Sequence, residues 1–373
     1  MKKNIGVISM GIKAPIIKEG DDIVDIVVKS VLDATEINNT SSFTHGENKR
    51  FNINNKDIIG ITESVVARAF GEYITIDEIA EDIKKKFGER ANIALTNMIY
   101  SRNRFAMILK GIARGCCGGK IYLYMPHTDE VGNVSKNHPF TGIDYTEYYK
   151  EIVESENCEC IIIEKDLDIY NGEKPQRVIY CGLHDYEKFI DTFSDFKTWY
   201  TLADICGYKC DWGLLGSNKA SEEKLKLFPN KKTCQKVVTE IQKRIFDITG
   251  KNVFVCIYGD GCFKDPVGGI WEFADPVTMP GYTNHEFFES TPNEIKIKYL
   301  ADDKYSNLNG KELDEAIDKE IKEHGGKNLK ASMNSEGTTP RLYMDLLASL
   351  MDLTSGSGMR GTPIILVQNY NIF

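Results

Sequence analysis

Along the chain, stretches with apolar residues three and four positions apart alternate with short continuous apolar runs, which predicts helices interleaved with buried strands. The helical stripes are clearest in two places: Ile23, Val24, Ile26, Val27 and Val31 follow Asp21 and Asp22, and Ile76, Ile79, Ile83 and Phe87 share one face of TIDEIAEDIKKKFG. Carboxylates ahead of a first turn suit the positive end of the helix dipole. Further helical patterning covers about residues 91–113, about 185–207, KTCQKVVTEIQKRIFDITG up to Gly250, GKELDEAIDKEIKEHGG and PRLYMDLLASLMDLTSG. The apolar runs NIGVIS, DIIGIT, KIYLYM, CECIIIEKDLDIY, RVIYCG, NVFVCIY and TPIILVQNY read as strands. DIIGIT leads into a small-residue helix that Gly71 closes, and the Asn- and Ser-rich stretch from Asn38 to Asn55 reads as an exposed loop or hairpin. This alternation predicts an α/β protein of mixed α+β character.

Composition narrows the function classes. A chain of 373 residues has room for two domains at roughly 150 residues each. A net charge of −9 argues against a nucleic-acid binder, whose footprint is a basic face. No stretch reaches the ~18 consecutive apolar residues of a membrane span, and MKKNIGVISMGIKAP lacks the apolar core of a signal peptide, so a cytoplasmic protein is expected. Its ten cysteines lack the doubled CxxC spacing of a structural zinc site and read as buried thiols.

An acidic protein that handles an anionic substrate needs glycine amides, a few cations or a divalent metal at the site. The strand NVFVCIY runs into GDGCFKDPVGG, where Gly259 and Gly261 allow backbone amides to approach a ligand and Asp260 and Asp265 offer hard oxygen ligands for Mg2+ or Mn2+. Lys264 would take part of a phosphate's charge. The other reading of this segment is a tight turn whose aspartates cap backbone amides. Ser217 and Asn218 in GLLGSNKAS, and Glu336, Thr338, Thr339 and Arg341 in NSEGTTPR, suit either anion binding or simple helix capping. PHTDEVGN, with His127, Asp129 and Glu130, reads as a polar turn at a strand end. Glycine-rich, hydroxyl-rich and acidic loops without a Ser-His-Asp or Cys-His pattern favour phosphate and metal chemistry over nucleophilic hydrolysis.

PIIKEGDDIVDIV, DIIGITESVVARAFGEY, the strand ending in YGDG and RGTPIILVQ occur in the order and form of the coenzyme F-420-0:γ-glutamyl ligase family, which the chain resembles over about residues 10–90, 205–275 and 340–370. The resemblance implies a two-domain ligase fold with mixed sheets, commonly homodimeric. On this basis residues 1–200 would be an N-terminal α/β region with an insertion at about 100–200, and residues 201–373 the nucleotide- and metal-binding region. It further implies a GTP- and divalent-metal-dependent reaction that joins L-glutamate to the carboxylate of a small-molecule acceptor through an acyl phosphate. Carried over by position, Asp260 stands at or one place from the family's metal-binding D-T pair, Arg68 takes the place of the lysine of its S-K-A-E-G turn, and Ser217–Asn218 match its S-N pair. The aspartate ahead of that pair becomes Leu215, unless Asp211 replaces it from a shifted position; the hydroxyl after the metal-binding aspartate becomes Gly261, and the arginine of the last strand becomes Gln368. The expected roles are therefore Lys264 and Arg68 as catalytic groups, Gly259, Gly261, Ser217, Asn218, Thr338, Thr339 and Arg341 toward the nucleotide, and Asp260, Asp265, Asp211 and Glu336 toward the metal. The competing reading is a non-catalytic nucleotide- or metal-binding protein that keeps the ligase fold.

Overall fold

The computed structural model describes residues 6–35, 52–130, 132–139, 141–166, 175–182, 196–259, 263–264, 271–272, 279–290, 296–324, 342–355 and 361–370. Its first sheet orders its strands β1 (Ile8–Ile12), β15 (Ile364–Gln368), β2 (Ile58–Thr62), β11 (Phe254–Tyr258) and β14 (Gly281–Tyr282). β2 and β11 run parallel, with Tyr258 opposite Thr62; β15 is antiparallel to both β1 and β2, and β14 is antiparallel to β11. IIGIT and FVCIY are apolar almost throughout because helices cover both faces of the sheet. On one face, α1 (Ile23–Ala34) and α6 (Lys231–Thr249) bury Val27, Val31, Val237, Val238, Ile241 and Ile245 against Ile59, Ile61, Val255 and Ile257. On the other, α8 (Tyr343–Ser355) packs Leu347, Ala348 and Met351 against Ile58, Cys256, Tyr258 and Ile365. Fully burying such aliphatic side chains stabilises by roughly 1.5–3 kcal/mol each.

The helix ends follow local chemistry. Asp22 caps α1 by accepting the Asp25 amide at 3.0 Å. Thr75 and Glu78 form a reciprocal capping box that starts α3 (Ile76–Phe87), and Gly250, at φ 67°, takes the left-handed conformation that ends α6. A small antiparallel sheet joins β3 (Tyr73–Thr75), β10 (Lys224–Lys226) and β9 (Asn218–Ser221). The backbone of β12 (Phe263–Lys264) pairs with that of β13 (Trp271–Glu272), Lys264 standing opposite Trp271. A further helix, α7, spans Gly310–His324.

The second five-stranded sheet is wholly parallel, in the order β6 (Glu159–Ile163), β5 (Lys120–Tyr124), β4 (Ile93–Thr96), β7 (Arg177–Tyr180) and β8 (Thr198–Thr201). Helices α3, α4 (Phe105–Gly115) and α5 (Tyr145–Ser155) cover one face of it, with Ile79, Ile83, Leu109, Ile112 and Tyr149 packed on Ile93, Leu95, Ile121 and Leu123. All of its strands fall within residues 93–201, whereas the first sheet draws strands from both sides of residue 200.

Four expectations from the sequence need correction. Residues 91–113 are not one helix: Ile93–Thr96 is a strand buried on both faces, Asn97 turns the chain at φ 56°, and helix begins only at Phe105. A strand buried on both sides is a continuous apolar run, which periodicity alone does not separate from a buried helix. In the stretch 185–207, the described part holds the strand Thr198–Thr201 followed by turns, because the β-forming residues Trp199 and Tyr200 pair with Val178 and Ile179. Ser217 and Asn218 do not cap a helix; they lead into the hairpin strand β9. The first strand also starts later than NIGVIS implies, at Ile8.

Candidate functional site at the ends of β2 and β11

Because β2 and β11 are parallel neighbours, their last residues, Thr62 and Tyr258, reach the same edge of the sheet. β15 is antiparallel to β2 and begins at that edge, where Pro363 accepts the Thr62 amide at 3.0 Å. Three chain segments remote in sequence thus meet at one place, the usual position for a ligand in an open α/β sheet.

Helix α2 (Glu63–Ala69) starts directly at the end of β2, so Glu63 stands in the first turn at the sheet edge. It is 7% exposed, and its partner Lys226, from the end of β10, is 6% exposed. Lys226 Nζ donates to both carboxylate oxygens, with 2.5 Å to Oε1. A buried ion pair is costly to desolvate and holds only where geometry and further contacts are good. Gly259, the residue after β11, makes this packing possible: a Cβ there would lie 2.3 Å from Glu63 Cγ and 2.7 Å from Phe228 Cε2. Gly216, at φ 66°, closes on the same edge of that ring nearer its stem, since a Cβ would lie 2.7 Å from Phe228 Cδ2. Next to it, Ser217 is 1% exposed and its Oγ has no hydrogen-bond partner among the described residues. Asn218 lies across the hairpin from Lys226. Phe228 therefore joins Gly259, the Glu63–Lys226 pair and the Ser217–Asn218 turn into one cluster.

Arg68 stands on the last turn of α2 and lines a cavity of about 630 Å3 with Thr62, Val65, Asp352, Ser355 and Thr362. This cavity opens on the β2 and β15 side of the same sheet edge. Buried beside it, Tyr258 has its hydroxyl pushed well above the ordinary phenol range by desolvation. Asp211 is engaged elsewhere: its Oδ2 accepts the Lys231 amide at 3.0 Å, capping α6, while its own amide donates to Asn230 Oδ1 at 3.0 Å. Asn230 in turn donates from its amide to Glu72 at 3.0 Å, and burial raises the Glu72 pKa.

A model of the F420-0:gamma-glutamyl ligase family matches residues 11–369. The chain belongs to this family. Its members are ligases that form a carbon–nitrogen bond. A search of curated proteins returns no significant match.

Among the candidate positions, Gly259 closes on Phe228, Ser217 and Asn218 follow Gly216, which closes on the same ring, and Arg68 lines the neighbouring cavity. Lys264 is described only by its place in β12, and Asp260, Gly261, Asp265, Glu336, Thr338, Thr339 and Arg341 lie outside the described residues. Gln368, which stands where the family has an arginine, has a structural task in this ligase: Nε2 donates to Asp57 Oδ2 at 2.6 Å and to Asn52 O at 2.8 Å, fixing the turn that enters β2. Leu215 is half-buried and packs on the core of the parallel-sheet region. Sequence reasoning missed the Glu63–Lys226 pair. Its trace was a lysine set in KLKLF between Leu225 and Leu227, both fully buried.

The fit of nucleotide and metal to this edge can be judged from the donors present. Toward an anionic group this edge offers the exposed Arg68 at its cavity, while the Ser217 hydroxyl, without a partner among the described residues, is buried. Among the described residues no group of three His, Cys, Asp or Glu is arranged to hold a metal, and the Glu63 carboxylate is taken up by Lys226.

Proposed function

We propose that this ligase joins L-glutamate to the carboxylate of a small-molecule acceptor, using GTP and a divalent cation, Mg2+ or Mn2+. The observation that carries the reading is the buried Glu63–Lys226 pair clamped against Gly259 where the parallel strands β2 and β11 end. In the reaction proposed, an acceptor carboxylate oxygen attacks the γ-phosphorus of GTP, giving an acyl phosphate and GDP. The glutamate amine then attacks the acyl carbon, inorganic phosphate leaves with the bonding electrons, and the nitrogen loses a proton. Such transfer depends on positioning and charge neutralisation rather than on a protein nucleophile.

In this scheme Ser217, Asn218 and the backbone at Gly259 and Gly261 hold the phosphates, with Thr338, Thr339 and Arg341 contributing from the 325–341 segment. Arg68 and Lys264 draw charge from the transferring group. Asp260, the residue that follows Gly259, would hold the cation with Asp265 and Glu336; Asp211, committed to capping α6, is the weakest of the four candidate ligands. The cation, when bound, would neutralise phosphate charge. A homodimer in the cytoplasm completes the proposal; among the described residues no helix is long and apolar enough to cross a membrane.

The deciding experiment is GDP release from GTP with Mg2+ or Mn2+, measured with and without L-glutamate and F420-0. Release that rises only when both are added supports ligation, and nucleotide binding with no turnover under any acceptor supports the non-catalytic alternative. Asp260→Asn is expected to lower turnover by about two orders of magnitude or more with little change in melting temperature. A large loss of stability instead would mark Asp260 as a turn-capping residue.

A further inference from the structure

A second cavity, of about 710 Å3, opens beside the edge strand β14 and the first turn of α6, within the size range of small-molecule sites. Trp212, Lys231, Lys232, Tyr282, His285 and Asp345 line it. Its walls are set by contacts that need no ligand. The Trp212 indole donates to Pro229 O at 3.2 Å and meets Phe228 edge-on, with ring centroids 5.9 Å apart. Phe228 is the ring against which Gly259 closes, so the cavity lies one aromatic ring away from the end of β11. On the other side, the rings of Tyr282 and His285 lie 4.7 Å apart, and Glu289 ties them together, accepting from the Tyr282 hydroxyl at 2.8 Å and meeting His285 Nδ1 at 3.0 Å.

The cations at this cavity run against the needs of the helix they sit on. α6 has no acidic residue of its own in its first turn, where only Asp211 caps it from outside, and it begins with Lys231 and Lys232, where the helix dipole is already positive. Lys231 Nζ stands over the Trp212 ring, 4.3 Å from its centre, so the cation is held on one face of the indole at the cavity wall.

We propose that this cavity binds a planar aromatic heterocycle carrying an anionic arm, the ring lodged among Trp212, Tyr282 and His285 and the arm against Lys231 and Lys232. Two reactants of the proposed ligation have this chemistry, the nucleoside triphosphate and an F420-0-type acceptor. The inference leans on the ligase reading only for those two names.

The test is calorimetric titration of GTP, F420-0 and guanosine into the full chain, its Lys231→Ala/Lys232→Ala variant and its Trp212→Leu variant, beside the turnover assay. Either GTP or F420-0 is expected to lose affinity by about tenfold or more in the lysine variant, whose melting temperature should stay close to that of the parent, while the other ligand is unaffected. That contrast names the source of the ring. Weak guanosine binding, where present, should fall with Trp212→Leu and not with the lysine variant. The proposal is overturned when neither GTP nor F420-0 binds the parent, or when both bind the lysine variant as tightly as the parent. Turnover that continues in the lysine variant with unchanged KM for both substrates would sink this inference and leave the ligase reading standing. Lysine-dependent binding without turnover would do the reverse.

Discussion

The ionic cluster at the margin of the parallel sheet and the pair at the end of the mixed sheet handle charge in opposite ways, although α3 also buries one carboxylate, Asp82, which Lys86 meets at 2.7 Å. In the parallel sheet's region a four-residue ionic cluster sits at the solvent edge: Arg114 on α4 forms a fork on Glu156, with two bonds of 2.9 Å, and reaches Asp77 and Glu223 at 2.8 Å each. At the end of the mixed sheet the Glu63–Lys226 pair is shut away from water beside Gly259. The first arrangement ties α3, α4, α5 and the β9–β10 turn together at small desolvation cost. The second would be replaced by apolar residues if packing were its whole purpose, since such replacement is often neutral or stabilising. Topology accounts for the contrast. The parallel sheet is assembled within residues 93–201, whereas the mixed sheet brings Ile58, Phe254 and Ile364 into adjacent strands and so gathers remote polar residues at one edge.

The largest effect is expected from separating that buried pair. Lys226→Met alone takes away the cation that pairs the buried Glu63 carboxylate, a loss of roughly 3–5 kcal/mol. The double variant Glu63→Gln/Lys226→Met should recover most of that stability in denaturant melts without recovering GTP turnover. A double variant as active as the parent would reduce the pair to a packing feature and erase the contrast between the sheets.

Two glycines make a closer comparison. Gly259→Ala puts a methyl group 2.3 Å from Glu63 Cγ, and Gly111→Ala, on α4, puts one 2.6 Å from Ile79 Cγ2. Overpacking of this kind costs roughly 1–3 kcal/mol at either place. Only the first should also depress turnover, because only there does the displaced side chain belong to the strand-end cluster. Equal effects on turnover would show that activity follows global stability.

How far the sequence foretold these features depends on the range of the forces involved. α1, α3 and α6 were legible because an amphipathic stripe and its caps lie within a few residues of one another, as with Thr75 and Glu78 or Gly250 after Thr249. β4 was not, because Ile93, Ala94 and Leu95 are buried on both faces and their parallel partners lie at Ile121 and Val178. Of the site, Gly259 and the Ser217–Asn218 pair stood out by glycine and hydroxyl content and by the family's S-N motif, whereas Asp260 and Gly261 lie outside the described residues. Lys226 could not be given a partner, since its approach to Glu63 follows from strand pairing and from the missing side chain at Gly259.

The smallest effect expected is at the exposed network, and its pH dependence separates it from the buried pair. Arg114, and after it Lys110, hold the Glu223 carboxyl below its ordinary 4.5. A lowered carboxyl pKa adds stability above the ordinary value, and that stability is lost as the pH falls through the lowered one. Arg114→Met should therefore lower stability by about 1 kcal/mol near neutrality, the scale of partly exposed ion pairs, with turnover unchanged. The gap between parent and variant should narrow as thermal melts are taken below about pH 4.5, but not close fully at once, because Lys110 still faces Glu223 in the variant. High salt should shrink the same gap at neutral pH, whereas the loss in Lys226→Met should persist in salt because water and ions do not reach Glu63. A gap for Arg114→Met that ignores both pH and salt would mean that the guanidinium acts through packing of its stem, and the solvent edge of the parallel sheet would then resemble the interior of the mixed one.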